Sequence, residues 1–226
     1  MDGAEDVAGD VRRAGPAAAP ATGRLDRAFY QRDPREVAPE LLNKVLVHGG
    51  RSGRIVEVEA YCGRIDPGSH AYRGMTPRNR TMFGPPGGLY VYFTYGMHWC
   101  ANAVCGHEGE GVAVLLRALA PLTGLEEMRA ARPRARRNRD LCNGPAKLCQ
   151  ALGLDRAFDG ADLVTADRGV TIVDDGTPPP PDPVQTTRIG LSAGAEHPWR
   201  WYVPGEPHVS KPAASPSGRS GRRSPP

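Results

Sequence analysis

The run RIVEVEAY (54–61) sets two carboxylates, Glu57 and Glu59, two residues apart in an otherwise apolar stretch. Read as a β-strand, this spacing turns both side chains to one face. Such a pair is either the solvated side of a half-exposed strand or a carboxylate held in a cleft as a general base. The spacing leaves both open. Tyr61 lies on the same face, two residues beyond Glu59, so a cleft here would set a carboxylate beside an aromatic plane, an arrangement that suits a flat ligand. His70 follows in a segment rich in Gly, Pro and Asp, where a lone histidine is a surface residue or a functional one.

Two further groupings stand out. Tyr90, Tyr92 and Tyr95 fall within six residues and are followed by Met97, His98 and Trp99. Tyr90 and Tyr92 share a strand face and can form a core or a stacking wall. Tyr95, just before Gly96, sits at a turn tip, where a bulky ring is costly to expose unless something receives it. A wedge pushed between stacked bases is one such use. The second grouping is basic: TPRNR (76–80) and residues 129–139 hold eight arginines, among them Arg78, Arg80, Arg136 and Arg137. These are either phosphate-binding forks or a solvated surface. HExxH, HxxxH, a P-loop and GxGxxG are absent, so no metal and no cofactor is expected. Glu57, Glu59 and Asp66 could serve a metal-dependent nuclease only with ligands from elsewhere.

These residues need a scaffold. Residues 25–46 read as a short helix, a break at Asp33-Pro34 and a second helix running through Val45-Leu46. Residues 54–61 read as a strand and 63–80 as a long turn-rich loop. LYVYFTYGMHWCANAVC (89–105) is aromatic and β-branched with Gly96 inside it, the pattern of a β-hairpin. GVAVLLRAL (111–119) is a strand into which Arg117 intrudes. Helices are expected at 125–131 and after Asn143-Gly144-Pro145, where proline suits the first turn. Late strands are expected within 162–173, at 188–191 and at 199–203, with PPPPDP (178–183) as a stiff connector.

The 226 residues carry 29 Lys and Arg against 25 Asp and Glu. The net +4 divides into −2 over residues 1–23, +4 over 211–226 and +2 over the 187 between. A histone-like polycation is thereby excluded, and nucleic-acid binding would need local patches. Both ends are low in apolar residues and are expected to be disordered tails around one domain, residues 24–210. No stretch is long and apolar enough to span a bilayer, and acids occupy the place of a signal peptide's basic region. Five cysteines without CxxC spacing support neither a disulfide framework nor a zinc knuckle. A soluble, cytoplasmic chain is expected.

The strings RIVEVEAY, TPRNRTMFGPPGGLYVYFTYGMHWCAN, VAVLLRALAPLTGLEEMR, LCNGPAKLCQALG and RIGLSAG, in this order, resemble the alkyladenine DNA glycosylase family, the 3-methyladenine type without a helix-hairpin-helix. The resemblance covers roughly residues 25–210. It implies an α+β fold: a single domain with a curved, barrel- or roll-like antiparallel sheet, flanking helices and a β-hairpin that enters the DNA minor groove. It further implies that Glu59 is the general base, with Arg117 and the Ile189 carbonyl as the other contacts of the attacking water. Tyr61, His70 and Tyr92 would wall the base pocket, and Asn102 would crowd the exocyclic amine of undamaged guanine. Tyr95 would fill the gap left by the extruded base, with Met97 and His98 beside it in the minor groove.

The implied partner is double-stranded DNA with damaged purines, bound by a monomer that does not engage membranes, with a nucleoid association if the source is bacterial. The implied reaction is release of 3-methyladenine and 7-methylguanine, and secondarily of hypoxanthine and ethenoadenine, as the first step of base excision repair. The three lysines, Lys44, Lys147 and Lys211, are not among the site residues, so strand cleavage through a Schiff base is not expected.

Overall fold

Two aspartates start the first helices. Asp26 accepts the Phe29 N–H ahead of α1 (Arg27–Tyr30), and Asp33 accepts the Arg35 N–H ahead of α2 (Pro34–Leu41), with Pro34 in the first turn. Val37, Ala38 and Leu41 line one side of α2 and are fully buried. Two more helices follow: α3 (Leu125–Ala131) and α4 (Pro145–Leu152), the latter stopped by Gly153 at φ +72°. The computed structural model describes residues 23–94 and 96–212. The two tails, apart from Gly23, Lys211 and Pro212, and also Tyr95, lie outside the described residues.

Ten strands form one antiparallel, curled sheet. They are β1 (Gly23–Arg24), β2 (Val45–His48), β3 (Arg51–Tyr61), β4 (Gly88–Thr94), β5 (His98–Cys105), β6 (Val112–Thr123), β7 (Ala161–Asp162), β8 (Val170–Asp174), β9 (Val184–Thr186) and β10 (Arg200–Tyr202). The main order is β1-β8-β2-β3-β6-β5-β4-β7, with β10 on β3 and β9 on β10. Along one edge β3 pairs with β6. Along the other, its first half pairs with β2 and its second with β10.

The β3–β6 ladder shifts register three times, once at Ser52–Gly53, where Leu122 is passed over, and twice beside the acids. Ile55 faces Leu119 and Glu57 faces Ala118, so Val56 has no opposite number; Val58 then faces Leu116, so Arg117 has none either. Each is a bulge, a device that re-aims the side chains around it. One face of the sheet then holds the main core, with Ile55, Val58, Ala60, Leu116 and Leu119 packed under Leu41, Met128, Leu148 and Leu152 of the helices. Burial of each such leucine stabilises the fold by about 1.5–3 kcal/mol. A smaller cluster of Ala71, Met82, Phe83, Tyr90, Val104 and Ala113 lies apart from it, with Tyr92 packed against it.

The expected hairpin is β4 and β5, paired from Leu89–Ala103 to Thr94–His98. Two expectations are corrected. The second helix ends at Leu41 rather than running through Leu46, because Asn43 turns the chain at φ 68° and Val45–His48 joins the sheet. Residues 188–191 are not a strand; Arg188 turns inward, Gly190 takes φ +76°, and the edge strand is Val184–Thr186.

Candidate active site

Both carboxylates of β3 are fully buried; they share Arg117 but otherwise bind different partners. Oε1 of Glu59 accepts the Ile189 N–H at 2.8 Å and lies 3.1 Å from Nη1 of Arg117. Its Oε2 accepts the Tyr61 hydroxyl at 2.9 Å. Burial, followed by the charge of Glu59, pushes the Tyr61 phenol well above its ordinary pKa, so the hydroxyl stays protonated and donates. Glu57 is taken up by structural partners: Oε1 accepts from Nε of Arg117 at 2.9 Å, Nε of Arg200 at 2.8 Å and the Ser210 hydroxyl at 2.8 Å. Its Oε2 accepts the Ser210 N–H at 2.6 Å.

The bulge places Arg117 between the two acids. Burial pulls its guanidinium down, but Glu59 and Glu57 outweigh that and hold it above its ordinary value. The bidentate pair of Arg188 with Asp66, at 2.6 and 2.7 Å, is fully enclosed. Arg188 also donates to the carbonyls of Ala60 and Gly194, and its guanidinium faces the Tyr61 ring at 4.7 Å and the Trp199 ring at 5.1 Å. Asp66 in turn accepts the Cys62 and Gly68 N–H groups. Thus Glu57 and Asp66 are spent on arginines and backbone, and among the described residues no three His, Cys, Asp or Glu side chains are grouped to hold a metal.

A cavity of about 220 Å³ opens beside Glu59, lined by Tyr61, His70, Tyr92, Asn102, Arg117 and Ile189 with Leu115 and Cys100. His70 meets Tyr92 edge-on at 4.5 Å, and Tyr92 stacks on Tyr90 at 5.4 Å. Nδ1 of His70 shares a hydrogen bond with the Tyr90 hydroxyl at 3.2 Å. Burial, then the charge of Arg78, lowers the His70 pKa below its ordinary value, so the ring is neutral at pH 7. The backbone at His70 is clipped by Asn79, whose amide donates to the His70 and Gly74 carbonyls at 2.8 and 3.1 Å. Nδ2 of Asn102 donates to the Tyr90 carbonyl at 3.2 Å. All five cysteines are buried free thiols, and burial pushes Cys62 and Cys142 up to about 12, which makes them poor nucleophiles.

The remaining expected residues lie outside this cavity. Met97 and His98 are exposed beyond the hairpin turn. With Trp99, Arg132, Arg134 and Lys147 they line a groove of about 700 Å³. Arg78 is exposed and donates to the Phe93 carbonyl at 2.8 Å, which ties the loop to the hairpin; Arg80 is exposed nearby. Arg136 and Arg137 are exposed, and Arg137 pairs with Asp140 at 3.0 Å. Asp66, Asn79, Arg188, Arg200 and Ser210 went unassigned in the sequence reading as supports of the site. For the arginines the available signal was a charge inside an apolar or aromatic run, as in WRWY, since a buried charge needs a partner.

The chain thus has a curled antiparallel sheet with a β4–β5 hairpin, and a buried carboxylate bonded to Tyr61, Arg117 and Ile189 of an aromatic cavity's lining. The family model for methylpurine-DNA glycosylase matches residues 28–207, and the chain belongs to that family of DNA-repair hydrolases, which act on N-glycosyl bonds. It is 60% identical over 203 residues to a protein of Burkholderia lata named "putative 3-methyladenine DNA glycosylase", covering 89% of this chain and 98% of that one. Proteins of the same name from Burkholderia cenocepacia and Streptomyces avermitilis are 62% and 50% identical, with 85% of this chain covered in each case and 94% and 93% of theirs.

Proposed function

We propose that the protein is a monofunctional DNA glycosylase that extrudes alkylated purines from duplex DNA and hydrolyses the N-glycosidic bond with a water activated by Glu59. One observation carries the reading: a buried carboxylate beside the aromatic cavity has three polar partners for about four lone-pair positions. The remaining position can take the proton of a water attacking the anomeric carbon, while the purine departs with the bonding electrons. Arg117 and the Ile189 carbonyl are the other water contacts in this reading. Glu59 also stabilises the positive charge that develops on the sugar.

A base must leave the stack before it can reach such a cavity, at a cost of a few kcal/mol that is smaller for damaged bases. The hairpin supplies the wedge, a role assigned to Tyr95 on the family resemblance, with Met97 and His98 beside it. Cationic 3-methyladenine and 7-methylguanine stack between Tyr61 and the His70–Tyr92 wall with a cation–π contribution. Asn102 works against unmodified guanine. Hypoxanthine and ethenoadenine fit the same wall without the charge term, as secondary substrates. The protein acts as a monomer on double-stranded DNA.

The test is incubation with methylated duplex DNA in EDTA and chromatography of the released bases. Free 3-methyladenine, with strands intact until alkali is added, is the expected result. Intact bases, or nicks formed without alkali, would overturn the reading.

A neutral His70 suits a cationic guest, and this fixes a pH dependence. The folded protein resists protonating His70, so the associated stability is complete above the unfolded histidine value and is lost as pH falls through the lowered folded one. Release of 7-methylguanine therefore continues below the ordinary histidine range and then falls as the ring becomes charged. In single-turnover pH profiles, His70→Gln should lose that acid limb; an unchanged limb would refute the assignment.

The exposed arginines set the salt response. Arg136→Ala should reduce the slope of log affinity against log salt by about 0.9, the loss of one phosphate contact. Binding titrations across salt concentrations measure it, and an unaltered slope would place Arg136 off the DNA.

A further inference from the structure

Arg200 is 3% exposed and sits on β10 directly opposite Glu59 in the β3–β10 register. Side chains so placed have Cβ atoms only about 4.5–5.5 Å apart. Yet Arg200 does not pair with Glu59. Its Nε goes to Glu57 at 2.8 Å and its Nη2 to the Lys211 carbonyl. Glu57 also fixes Arg117, which spreads its three nitrogens over three partners: Nε on Glu57 at 2.9 Å, Nη2 on the Ser210 hydroxyl at 3.2 Å and Nη1 towards Glu59 at 3.1 Å. The buried group thus holds two carboxylates and two guanidiniums, a balanced set, with Glu57 joined to both cations and Glu59 to one.

We infer that Glu57, locked by Ser210, is the positioning residue of the site: it holds Arg117 in its fork and keeps the second guanidinium, Arg200, off the carboxylate of Glu59. This rests on the proposed role of Glu59 as base. A carboxylate paired to two guanidiniums is a weaker proton acceptor than one paired to a single guanidinium, so Glu57 protects the reactivity of its neighbour without touching substrate. Ser210 completes the arrangement from far along the chain, through both its N–H and its hydroxyl.

The test compares Glu57→Gln with the double variant Glu57→Gln/Arg200→Gln. The glutamine keeps the size and an acceptor oxygen but removes the charge. The single variant should lose about 10- to 100-fold in single-turnover release of 7-methylguanine, by analogy with the outer partners that orient metal ligands, with affinity for methylated duplex within twofold of wild type. The double variant, again balanced, should recover most of that rate. A packing role alone predicts the reverse, because the second change removes one more buried contact.

Wild-type rate in the single variant, or no recovery in the double, would overturn the inference. A wild-type protein that releases no base would instead refute the function it rests on. Should the single variant not fold, Ser210→Ala, which removes one donor to Glu57 and the Arg117 acceptor, is read by the same assay. It should cost several-fold in rate with unchanged affinity, and wild-type rate there would equally overturn the inference.

Discussion

Glu59→Gln should reduce base release by about 10²–10⁴-fold while leaving affinity for methylated duplex DNA within a few-fold. The side chain is fully buried behind Tyr61, Arg117 and Ile189, which line the cavity, so the stacking surfaces stay in place when its charge is removed. An amide oxygen can still accept the Ile189 N–H, now made at 2.8 Å. What the amide cannot do is take a proton from water or face a developing positive charge as an anion. The loss therefore falls on the chemical step. Single-turnover base release, set beside equilibrium binding, separates the two, and retained turnover would remove Glu59 from the role of base.

Asp66→Asn should destabilise the fold by about 3–5 kcal/mol, the range for breaking a buried ion pair by removing one partner. Arg188 is enclosed with Asp66 and has no other acid in its ion pair. The amide takes the paired countercharge from a buried guanidinium, leaving only the more distant charge of Glu59, and weakens the bonds that Asp66 accepts from Cys62 and Gly68. For a domain of this size the corresponding fall in Tm is roughly 6–20 °C. The damage should also reach the site, because Arg188 lies against Tyr61 and precedes Ile189. Thermal unfolding checks the first claim, and a shift under about 2 °C would refute it.

How far these features can be read in the chain depends on how local they are. RIVEVEAY declares a strand with its acids on one face, and both acids do reach the same guanidinium. Even its irregular alternation carried information, since Ile55, Val58 and Ala60 share the core side only because Val56 forms a bulge. The hairpin was legible for the same reason, as its pairing partners are a few residues apart. Residues 42–46 misled because Leu42, Val45 and Leu46 keep a helical spacing across Asn43, where the backbone turns instead. The partners of Glu57 were hidden outright: Arg117, Arg200 and Ser210 lie 60, 143 and 153 positions away. Only the closed sheet brings them together, and one sequence carries no pairing code over such distances.

The hold of Ser210 on Glu57 also orders events during synthesis. A ribosome adding about 5–20 residues per second places Ser210 roughly 8–30 s after Glu57, given their separation of 153 positions. Until then the strands bearing Glu59 and the hairpin exist without the residue that locks their arginine. A growing chain can therefore hold the residues of its aromatic cavity before Ser210 arrives to lock Glu57.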